Sequence, residues 1–478
     1  MTSLSSALSK QQAMLNKIAD AFAISDACLQ KIVSGLYAEL TNGLQKNYKR
    51  LGGELHMSPS FIHCHTSPNG TALGMTIEAS GKRIRISSAS FDSVCSLSSS
   101  ATQVFVTPKA RKQSTSSFFD YIAFCIREFL QVNNLESKLC SDSSSGSSRK
   151  PQRHLPLGIS IGLPVSSKNK VAEDAKEDCL DLCGSDIARR LCDTILRSHL
   201  PVRVTSVTNN TVSALIAAKY ADKNTCVAAS FNHGINAAYM EDIDNVESLS
   251  SPSSQSTDSP FEVAINTEIG RFGAKNTRIL PLTMWDRRLD RESKHPGTRV
   301  LEKLIADQYM GEIVRNLITD FMDNQLLFSH NIEVEAISTE YAFHTAYMAP
   351  IMEDASSEFK TVEDIFAAEF GISGISLADR KVIRSLCEIV AGRASKLAGA
   401  IIAALVIKAT ASSSTAKRSN QMSVALSGVL FDTNVQLYEN TVSSLEQCLT
   451  KHSDASVDVY LQNRCADLFG AAVNAASL

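Results

Sequence analysis

Two neighbouring stretches decide the fold of this chain. They are INTEIGRFG at residues 265–273 and LDRESKHPGTRVLEKLIADQYMGEIVRNLI at residues 289–318. In the second stretch Glu302 stands among apolar residues, and taken alone such an acidic residue is more often a helix-surface charge than a ligand-binding group. Four other stretches along the chain strengthen the evidence that these two give about the fold. These are LPLGISIGLPVSS from residue 155, VTNNTVSALIAAKY from 207, INAAYMED from 235 and VIRSLCEIVAGRASKLAGAIIAALVIK from 382.

The pattern of apolar residues around these stretches alternates between strand and helix. Residues 202–207 and 225–230 are predicted strands, and they flank a predicted helix over residues 211–219. Residues 71–86 alternate between apolar and polar and carry Gly81 at a turn, which predicts a β-hairpin. Strands that alternate with helices indicate an α/β protein.

Composition and charge limit the classes of partner. The chain has 478 residues, 44% of them hydrophobic, and its formal net charge is −3. A large core is therefore expected, and the basic excess of a nucleic-acid-binding protein is missing, so we expect no direct nucleic-acid partner. The twelve cysteines are scattered without a CxxC motif, so we expect no zinc site and no other metal site.

The N-terminal residues and the most apolar segment indicate where in the cell the protein is expected. The first 22 residues contain no apolar run of the signal-peptide type. The most apolar segment, LAGAIIAALVIKA from Leu397, is interrupted by Lys408 and is shorter than the ~20 residues of a membrane span. We therefore expect an intracellular protein without a membrane partner, cytoplasmic, with the nucleus as a second location.

In their order and approximate spacing, the six stretches resemble the eukaryotic, fungal-type hexokinase family. That family carries an Asn-x-Glu-x-Gly-x-Phe-Gly segment followed by Pro-Gly, Phe-Glu-Lys and Tyr-x-Gly-Glu-Ile/Leu-Val-Arg. The resemblance implies a bilobal hexokinase-like α/β fold of the actin-like ATPase (ribonuclease H-like) kind, whose two lobes close over a sugar. It implies an N-terminal helical part of the large lobe at 1–56, a small lobe at 57–201, the large lobe at 202–457 and a return to the small lobe at 458–478.

The resemblance also implies a sugar site. Buried side-chain oxygens and amides recognise a hexose by bonding to particular hydroxyl groups. The positions that match the sugar-contacting residues of the family are Ser166, Asn209, Asn210, Asn236, Glu268 and Glu302.

One sugar-binding segment of the family has no counterpart. Hexokinases carry Trp-Thr-Lys-Gly-Phe after the serine strand, and its Thr and Lys touch the sugar. The corresponding residues 168–191 read KNKVAEDAKEDCLDLCGSDIARRL, in which Lys170 or Lys176 could substitute. We therefore expect weak hexose binding.

The catalytic base of the family is replaced. An aspartate that takes the proton from the attacking hydroxyl follows the first sugar-site asparagine in active hexokinases. Asn210 occupies that position here, and an amide cannot act as a general base near neutral pH. We therefore expect no intact catalytic residue. Because general acid–base catalysis typically raises the rate by about 10²–10⁴-fold, we also expect turnover to be nearly silent.

The phosphate loops implied by the resemblance have also changed. The family's Asp-Leu-Gly-Gly-Thr-Asn is matched to Ser67-Pro68-Asn69-Gly70-Thr71-Ala72, which lacks the aspartate and one glycine. A phosphate cradle depends on free backbone N–H groups and on the close approach that glycine allows, and proline has no N–H.

The second phosphate loop and the nucleotide segments follow the same trend. Asn232-His233-Gly234 replaces Gly-Thr-Gly, and His233 stands where a threonine would reach the γ-phosphate. The segment at residues 425–429, which contains Ser427-Gly428, lacks the family's aspartate, and residues 465–470 lack its Asp-Gly-Ser. We therefore expect no cofactor, and MgATP only if kinase activity remains.

Three functions fit these residues. The leading one is a non-catalytic regulator or sugar sensor in carbon metabolism, with a weakly bound hexose and a protein partner such as an active hexokinase or a regulatory complex. Serine-rich stretches near residues 141–153, 248–260 and 411–420 suit a switchable surface. The second is a weak ATP-dependent hexose kinase that uses another carboxylate, such as Asp186 or Asp242, as its base. The third is a structural partner of an active hexokinase.

Overall fold

The structure is a computed structural model in which two mixed β-sheets are covered by helices. It describes residues 2–46, 48, 53–60, 67–78, 81–92, 94–112, 114–136, 154–163, 186–247, 262–276, 278–328, 335–412, 421–428, 431, 434–450, 456–463 and 465–477.

The smaller sheet has five strands in the order β4-β3-β2-β5-β6. β2 and β3 form the antiparallel hairpin predicted from the alternation of residues 71–86, while β5 and β6 extend the sheet in parallel. The strands are β2 (Gly70–Ile77), β3 (Arg83–Phe91), β4 (Leu97–Val106), β5 (Leu155–Ile161) and β6 (Val202–Asn209).

The larger sheet has six strands in the order β1-β9-β8-β7-β10-β11. β7, β10 and β11 run parallel, and β8, β9 and β1 continue the sheet in antiparallel fashion. The strands are β1 (Ser58–Ser60), β7 (Thr225–Phe231), β8 (Ile235–Asp242), β9 (Glu262–Asn266), β10 (Gln421–Ser427) and β11 (Ser456–Leu461).

Helices surround both sheets. In chain order they are α1 (Thr2–Phe22), α2 (Asp26–Asn42), α3 (Thr115–Val132), α4 (Ile187–Arg197), α5 (Asn210–Ala221), α6 (Met284–Glu292), α7 (Val300–Ile305), α8 (Asp307–Asp323), α9 (Glu335–Ser338), α10 (Met348–Glu353), α11 (Lys360–Phe370), α12 (Leu377–Ser412), α13 (Val435–Leu449) and α14 (Ala466–Ala476).

The two faces of the smaller sheet differ in chemistry. One face is a continuous apolar layer packed against α3 and α4. The other face carries small and polar residues and is covered by α14, the last helix of the chain. The approach is close because Gly74 and Gly158 lack side chains: an added Cβ would lie 2.2 Å from the carbonyl oxygen of Leu468 and 1.9 Å from that of Ala471. The end of the chain therefore completes the smaller lobe.

The sheet pairings move the lobe boundaries expected at residues 57, 202 and 458. β1 pairs with β9 in the larger sheet, so the smaller lobe starts after Ser60. β6 pairs with β5 in the smaller sheet, which therefore extends to Asn209 rather than ending at residue 201. β11 belongs to the larger sheet as far as Leu461. Sequence patterns alone could not assign these strands because strand pairing is a long-range property.

The helix α12 forms the centre of the larger lobe. It has 36 residues, so the expectation that its apolar segment is too short for a membrane span is wrong as regards length. By length and composition α12 could cross a membrane, but 83% of its most apolar window is buried inside the protein. Packing in the core explains its composition, as in the central helix of a large globular domain.

Candidate functional site

The two sheets meet at the side chains of Asn209 and Asn236. Asn209 ends β6 of the smaller sheet, and Asn236 is the second residue of β8 in the larger sheet. The side-chain N–H of Asn236 donates to the side-chain oxygen of Asn209 across 3.3 Å. Asn209 also caps α5 by accepting from the backbone N–H of Thr211 at 2.9 Å, so its amide is fixed from two sides.

Asn236 belongs to a chain of side chains that we call the sugar-side network: Asn209, Asn236, Asn266 and Glu268. The amide of Asn236 donates to Asn266 at 2.7 Å, and the amide of Asn266 donates to a carboxylate oxygen of Glu268 at 3.0 Å. The backbone N–H of Glu268 donates to the side-chain oxygen of Asn236 at 3.0 Å. Glu268 has a left-handed backbone with φ of 53°, a conformation that non-glycine residues rarely adopt. Such local strain is typical of ligand-binding positions.

Glu302 lies in a close-fitting seat beside this network. The backbone N–H of Ile235 donates to its carboxylate at 3.1 Å, and Arg299 contacts the other carboxylate oxygen at 3.4 Å. A Cβ added at Gly234 or Gly270 would lie 2.8 or 2.9 Å from the carboxylate, so both glycines leave room for it. Its side chain is 8% exposed. The reading of this residue as a solvated helix charge is therefore wrong.

Sequence reasoning missed Asn266 and Arg299. Asn266 is fully buried and connects Asn236 to Glu268. Its position two residues before Glu268, within the stretch INTE, was the available signal. Of the predicted sugar contacts, Ser166 lies outside the described residues, as do Lys170 and Lys176.

Asn210 is the first residue of α5, next to Asn209. Its side-chain oxygen is 3.4 Å from the hydroxyl of Thr211, and the residue is partly exposed. The N-terminus of a helix carries a partial positive charge, which stabilises an anionic group placed there. The amide of Asn210 carries no charge. The position is therefore suited to a carboxylate that this chain does not have.

The structure gives the two proposed substitutes for the base different positions. Asp242 ends β8, six residues from Asn236, so at about 3.4 Å per residue it is roughly 20 Å along the strand from the meeting point of the sheets. Asp186 caps α4, where its carboxylate accepts the backbone N–H of Arg189 at 2.9 Å. Geometry thus argues against Asp242 as the base, and it gives Asp186 a structural role.

The assignment of the first phosphate loop to residues 67–72 is wrong. Ile77 pairs with Ile161, which pairs with Asn209, so the edge of the sheet near the site is at the end of β2. Gly70 begins β2, seven residues or about 23 Å away. There the backbone N–H of Asn69 bonds to Ala476 at the end of α14. Ser67, Asn69, Gly70 and Thr71 therefore do not reach the site.

The loop that does reach this edge is the hairpin turn between β2 and β3. It follows Thr76 and Ile77, and Gly81 has a positive φ of 61° within it. Thr76 is buried, and its hydroxyl has no hydrogen-bond partner among the described residues. The turn carries one acidic residue in its described part, Glu78, which lies 3.9 Å from Arg83. Residues 79 and 80 lie outside the described residues.

The predicted second phosphate loop lies at the meeting edge of the larger sheet. Asn232, His233 and Gly234 form the turn between β7 and β8, directly before Asn236, and His233 is exposed. Ser427 at the end of β10 pairs with Ser230 beside this turn.

The space next to Gly428 is closed by its neighbours. A Cβ added at Gly428 would lie 2.6 Å from the carbonyl oxygen of Phe231, and the ring of Phe431 packs edge-on against that of Phe231 at 5.4 Å. The predicted nucleotide-binding segment around Gly428 therefore lies at the cleft, and the packed rings of Phe231 and Phe431 fill the space beside it.

A polar cluster lies beneath α14 at the same edge of the smaller sheet. Arg85 contacts the carboxylate of Asp467 at 3.7 Å, and the hydroxyl of Ser160 lies 3.4 Å from it. Burial raises the pKa of Asp467 in spite of the nearby Arg85. The other carboxylate oxygen of Asp467 and the Nε of Arg85 have no hydrogen-bond partner among the described residues. Sequence reasoning placed Asp467 in a degraded motif and did not foresee this contact.

The described residues of this cleft include no cluster of metal ligands. Within the part of the chain that the structure describes, no three His, Cys, Asp or Glu side chains lie together as a metal-binding group. The polar groups that meet at the junction of the sheets are amides, two glutamates and one arginine, which can bond to hydroxyl groups of a small polyol.

Known proteins share both the sequence and the fold. Models of the hexokinase family match residues 14–220 and 226–477. Hexokinase-1 of Saccharomyces cerevisiae is 26% identical over 403 residues, covering 82% of this chain and 78% of that protein. Hexokinase-7 of Oryza sativa is 25% identical and covers 94% of both chains.

A solved structure agrees with these matches. The hexokinase from Schistosoma mansoni complexed with glucose superposes with a TM-score of 0.79 at 23% identity, covering 98% of this chain and all of that one. This similarity establishes the bilobal fold predicted from the sequence. Because the family models together span nearly the whole chain, the protein belongs to the hexokinase family.

Proposed function

We propose that this protein binds a hexose between its two lobes and acts as a non-catalytic regulator or sugar sensor in carbon metabolism. The observation that carries the proposal is that the hydrogen-bonded sugar-side network lies next to Asn210, the first residue of α5, which directly follows Asn209. The groups for holding hydroxyls are in place, whereas the position for removing a proton carries an amide.

The phosphate side supports the same conclusion. The turn that reaches the cleft edge follows Thr76, a hydroxyl residue without the charge needed to organise a metal–phosphate group. His233 is exposed at the turn of the larger sheet, and the described part of the cleft gathers no carboxylate cluster. Nucleotide binding therefore receives little electrostatic support from the described residues.

Sensing requires that the hexose bind one arrangement of the lobes better than another. A ligand shifts a conformational equilibrium only by its difference in affinity for the two states. Asn209 is held on one sheet and Asn236 on the other, so a sugar bonded to both side chains would favour the closed arrangement. Small-angle scattering with and without glucose should show a smaller radius of gyration with the sugar.

The experiment that tests the proposal combines calorimetry with an assay of phosphoryl transfer. Titration with glucose should show binding in the millimolar range, titration with MgATP should show none, and a coupled assay should stay at background. Turnover of ordinary enzyme size, about 1–10³ per second, would contradict the absence of catalysis. If no hexose binds at tens of millimolar, the role as a structural partner of an active hexokinase replaces the sensor.

A weak hexose kinase is the second candidate, and one observation favours it. Asp467 supplies a buried carboxylate beside Ser160, which pairs with Thr208 immediately before Asn209. Burial raises its pKa, and buried carboxylates with a shifted pKa are found at functional sites. If this kinase exists, its low rate should fall further in Asp467→Asn, which removes the base and keeps the shape of the side chain.

A further inference from the structure

Three helices enclose a groove on the larger lobe that shares no residue with the sugar-side network. It is lined by one row of side chains from each of α1, α12 and α13, and its volume is about 370 Å³. Volumes of this size are typical of sites for small organic molecules. Phe22 and Arg393 are nearly fully buried, and the walls are more exposed.

Gly392 lies in this groove, in the interior of α12. A glycine inside a helix is less favourable than alanine, so it usually reflects a close contact. Here a Cβ added at Gly392 would meet nothing within 4 Å, whereas one added at Gly399 on the same helix would lie 2.6 Å from Ser444. No contact within the described chain explains the missing side chain at residue 392. The space above it is open to a bound molecule.

Arg393, which lines the same groove, has one donor without a partner. Its two terminal nitrogens donate to Asp286 at 2.7 and 2.8 Å, and its guanidinium stacks 4.2 Å from the ring centre of Phe22. The remaining N–H, at Nε, is buried and has no hydrogen-bond partner among the described residues. A buried donor without a partner is rare in native proteins and indicates an absent acceptor.

The charge of the lining is positive. Glu388 is paired with Arg384 at 2.8 Å, and Arg393 is paired with Asp286. Lys396 is exposed at the groove and has no ion-pair partner in the described part of the chain. The charge of Lys396 is therefore not neutralised by an ion pair among the described residues, and the groove next to it is lined by the polar side chains of Asn440 and Ser443 on α13.

The length of the groove distinguishes a small molecule from a protein segment. The row on α12 runs from Glu388 to Lys396, which are eight helical steps apart, or about 12 Å at a rise of about 1.5 Å per residue. A docking helix needs several turns, and this groove is little more than two turns long. We propose that it binds a small organic anion, a carboxylate or phosphate monoester, whose apolar body packs over Gly392 against Phe22 and whose charge faces Lys396, on the side of the groove lined by Arg393.

Phenyl phosphate is a suitable probe because it combines a compact ring with an anionic group. For a probe of this size we expect a dissociation constant on the order of 1 mM, measured by ligand-observed NMR on the full chain, and much weaker binding of the neutral benzyl alcohol. Gly392→Leu should abolish binding by filling the groove, with no loss of stability because its Cβ meets no neighbour. Lys396→Met should weaken binding by up to about fivefold, the value of one exposed charge contact.

Lys381→Met is the matched control, since Lys381 is an exposed lysine on α12 outside the groove, and it should leave binding unchanged. The proposal is overturned if phenyl phosphate does not bind at 10 times the expected constant, if Gly392→Leu binds as the parent does, or if benzyl alcohol binds equally well. None of these outcomes depends on hexose binding in the cleft, so the two proposals stand or fall separately.

Discussion

The side chain of Asn236 donates one hydrogen bond to Asn209 and another to Asn266, and so a single amide connects β6 of the smaller sheet to β9 of the larger one. The contact with Asn209 is the longer of the two, at 3.3 Å compared with 2.7 Å. The amide is thus anchored in the larger lobe and reaches across to the smaller one. A ligand that bonds to both asparagines would reinforce the weaker side of this connection.

Restoring the carboxylate at the first residue of α5 should not restore an enzyme. In Asn210→Asp the new charge lies at the positive end of the helix, so we expect the free energy of unfolding at pH 7 to rise by about 0.3–1 kcal/mol. Phosphoryl transfer should remain at background in a coupled assay, because Thr76 supplies no carboxylate and Glu78, the acidic residue in the described part of the turn, lies beside Arg83. Recovery of turnover by this single change would show that the nucleotide side is functional.

Removal of the Glu302 carboxylate should affect both stability and sugar binding. In Glu302→Ala the buried N–H of Ile235 loses its acceptor, which costs about 1–3 kcal/mol in urea unfolding, and glucose binding should disappear. Glu302→Gln keeps an acceptor oxygen and should recover most of the stability but not the affinity. The control Glu446→Ala changes an exposed glutamate and should alter neither quantity beyond about 0.5 kcal/mol.

The ion pair between Asp286 and Arg393 should make stability depend on acid. Burial alone would raise the pKa of Asp286, but the Arg393 guanidinium and the Thr283 donors outweigh it and hold the pKa below its usual value. The stabilisation is therefore complete above about pH 4, the pKa of an unfolded aspartate, and is lost as the pH falls below it. Asp286→Ala leaves a buried charge unpaired and should cost about 3–5 kcal/mol at pH 7, with a smaller cost at pH 3.

Asp20→Asn is the control for that pH profile, since Asp20 is exposed on the neighbouring helix α1. Its unfolding curve should follow that of the parent at every pH. Equal losses for Asp286→Ala at pH 7 and pH 3 would show that the pair acts through packing rather than charge.

Asp467 should make stability depend on pH in the opposite direction to Asp286. Its pKa is raised, so the folded state favours the protonated form and stability falls as the pH rises through the folded pKa. Asp467→Asn, a neutral side chain of the same shape, should therefore stabilise the protein at pH 7 and have little effect at about pH 3.5, where both side chains are neutral. Thermal unfolding at the two pH values measures the difference, and a larger gain in acid would mean that Arg85 dominates the site.

Two glycines of α12 should respond oppositely to alanine. Gly392→Ala should raise the free energy of unfolding by about 0.5–1 kcal/mol, because the new methyl group meets no neighbour and alanine favours the helix. Gly399→Ala should lower it, because the methyl group would lie 2.6 Å from Ser444 and 2.7 Å from the backbone of Leu445. Denaturant unfolding of the pair separates a glycine required by packing from one that packing does not require.

The sequence predicted the elements of the fold and the residues of the sugar-side network more fully than the phosphate loops, and the reasons are physical. The hairpin around Gly81 was predictable because alternation and a turn glycine are local signals. The first phosphate loop was misassigned because Asn69-Gly70-Thr71 has a similar composition to the loop of the family, and composition does not say which end of a strand faces a cleft. Only the pairing of Ile77 with Ile161 and of Ile161 with Asn209 decides that. Contacts such as Arg85 with Asp467 join distant parts of the chain and have no local signature.

The position of α14 has a consequence for synthesis of the chain. The smaller sheet is complete in sequence at Asn209, but the helix that covers its polar face begins at Ala466. At about 5–20 residues per second, a ribosome takes roughly 13 to 50 s to make the intervening segment. During that time the glycine-lined face that packs under Leu468 and Ala471 lacks the cover of α14, so the smaller lobe can complete its packing only after this helix has been made.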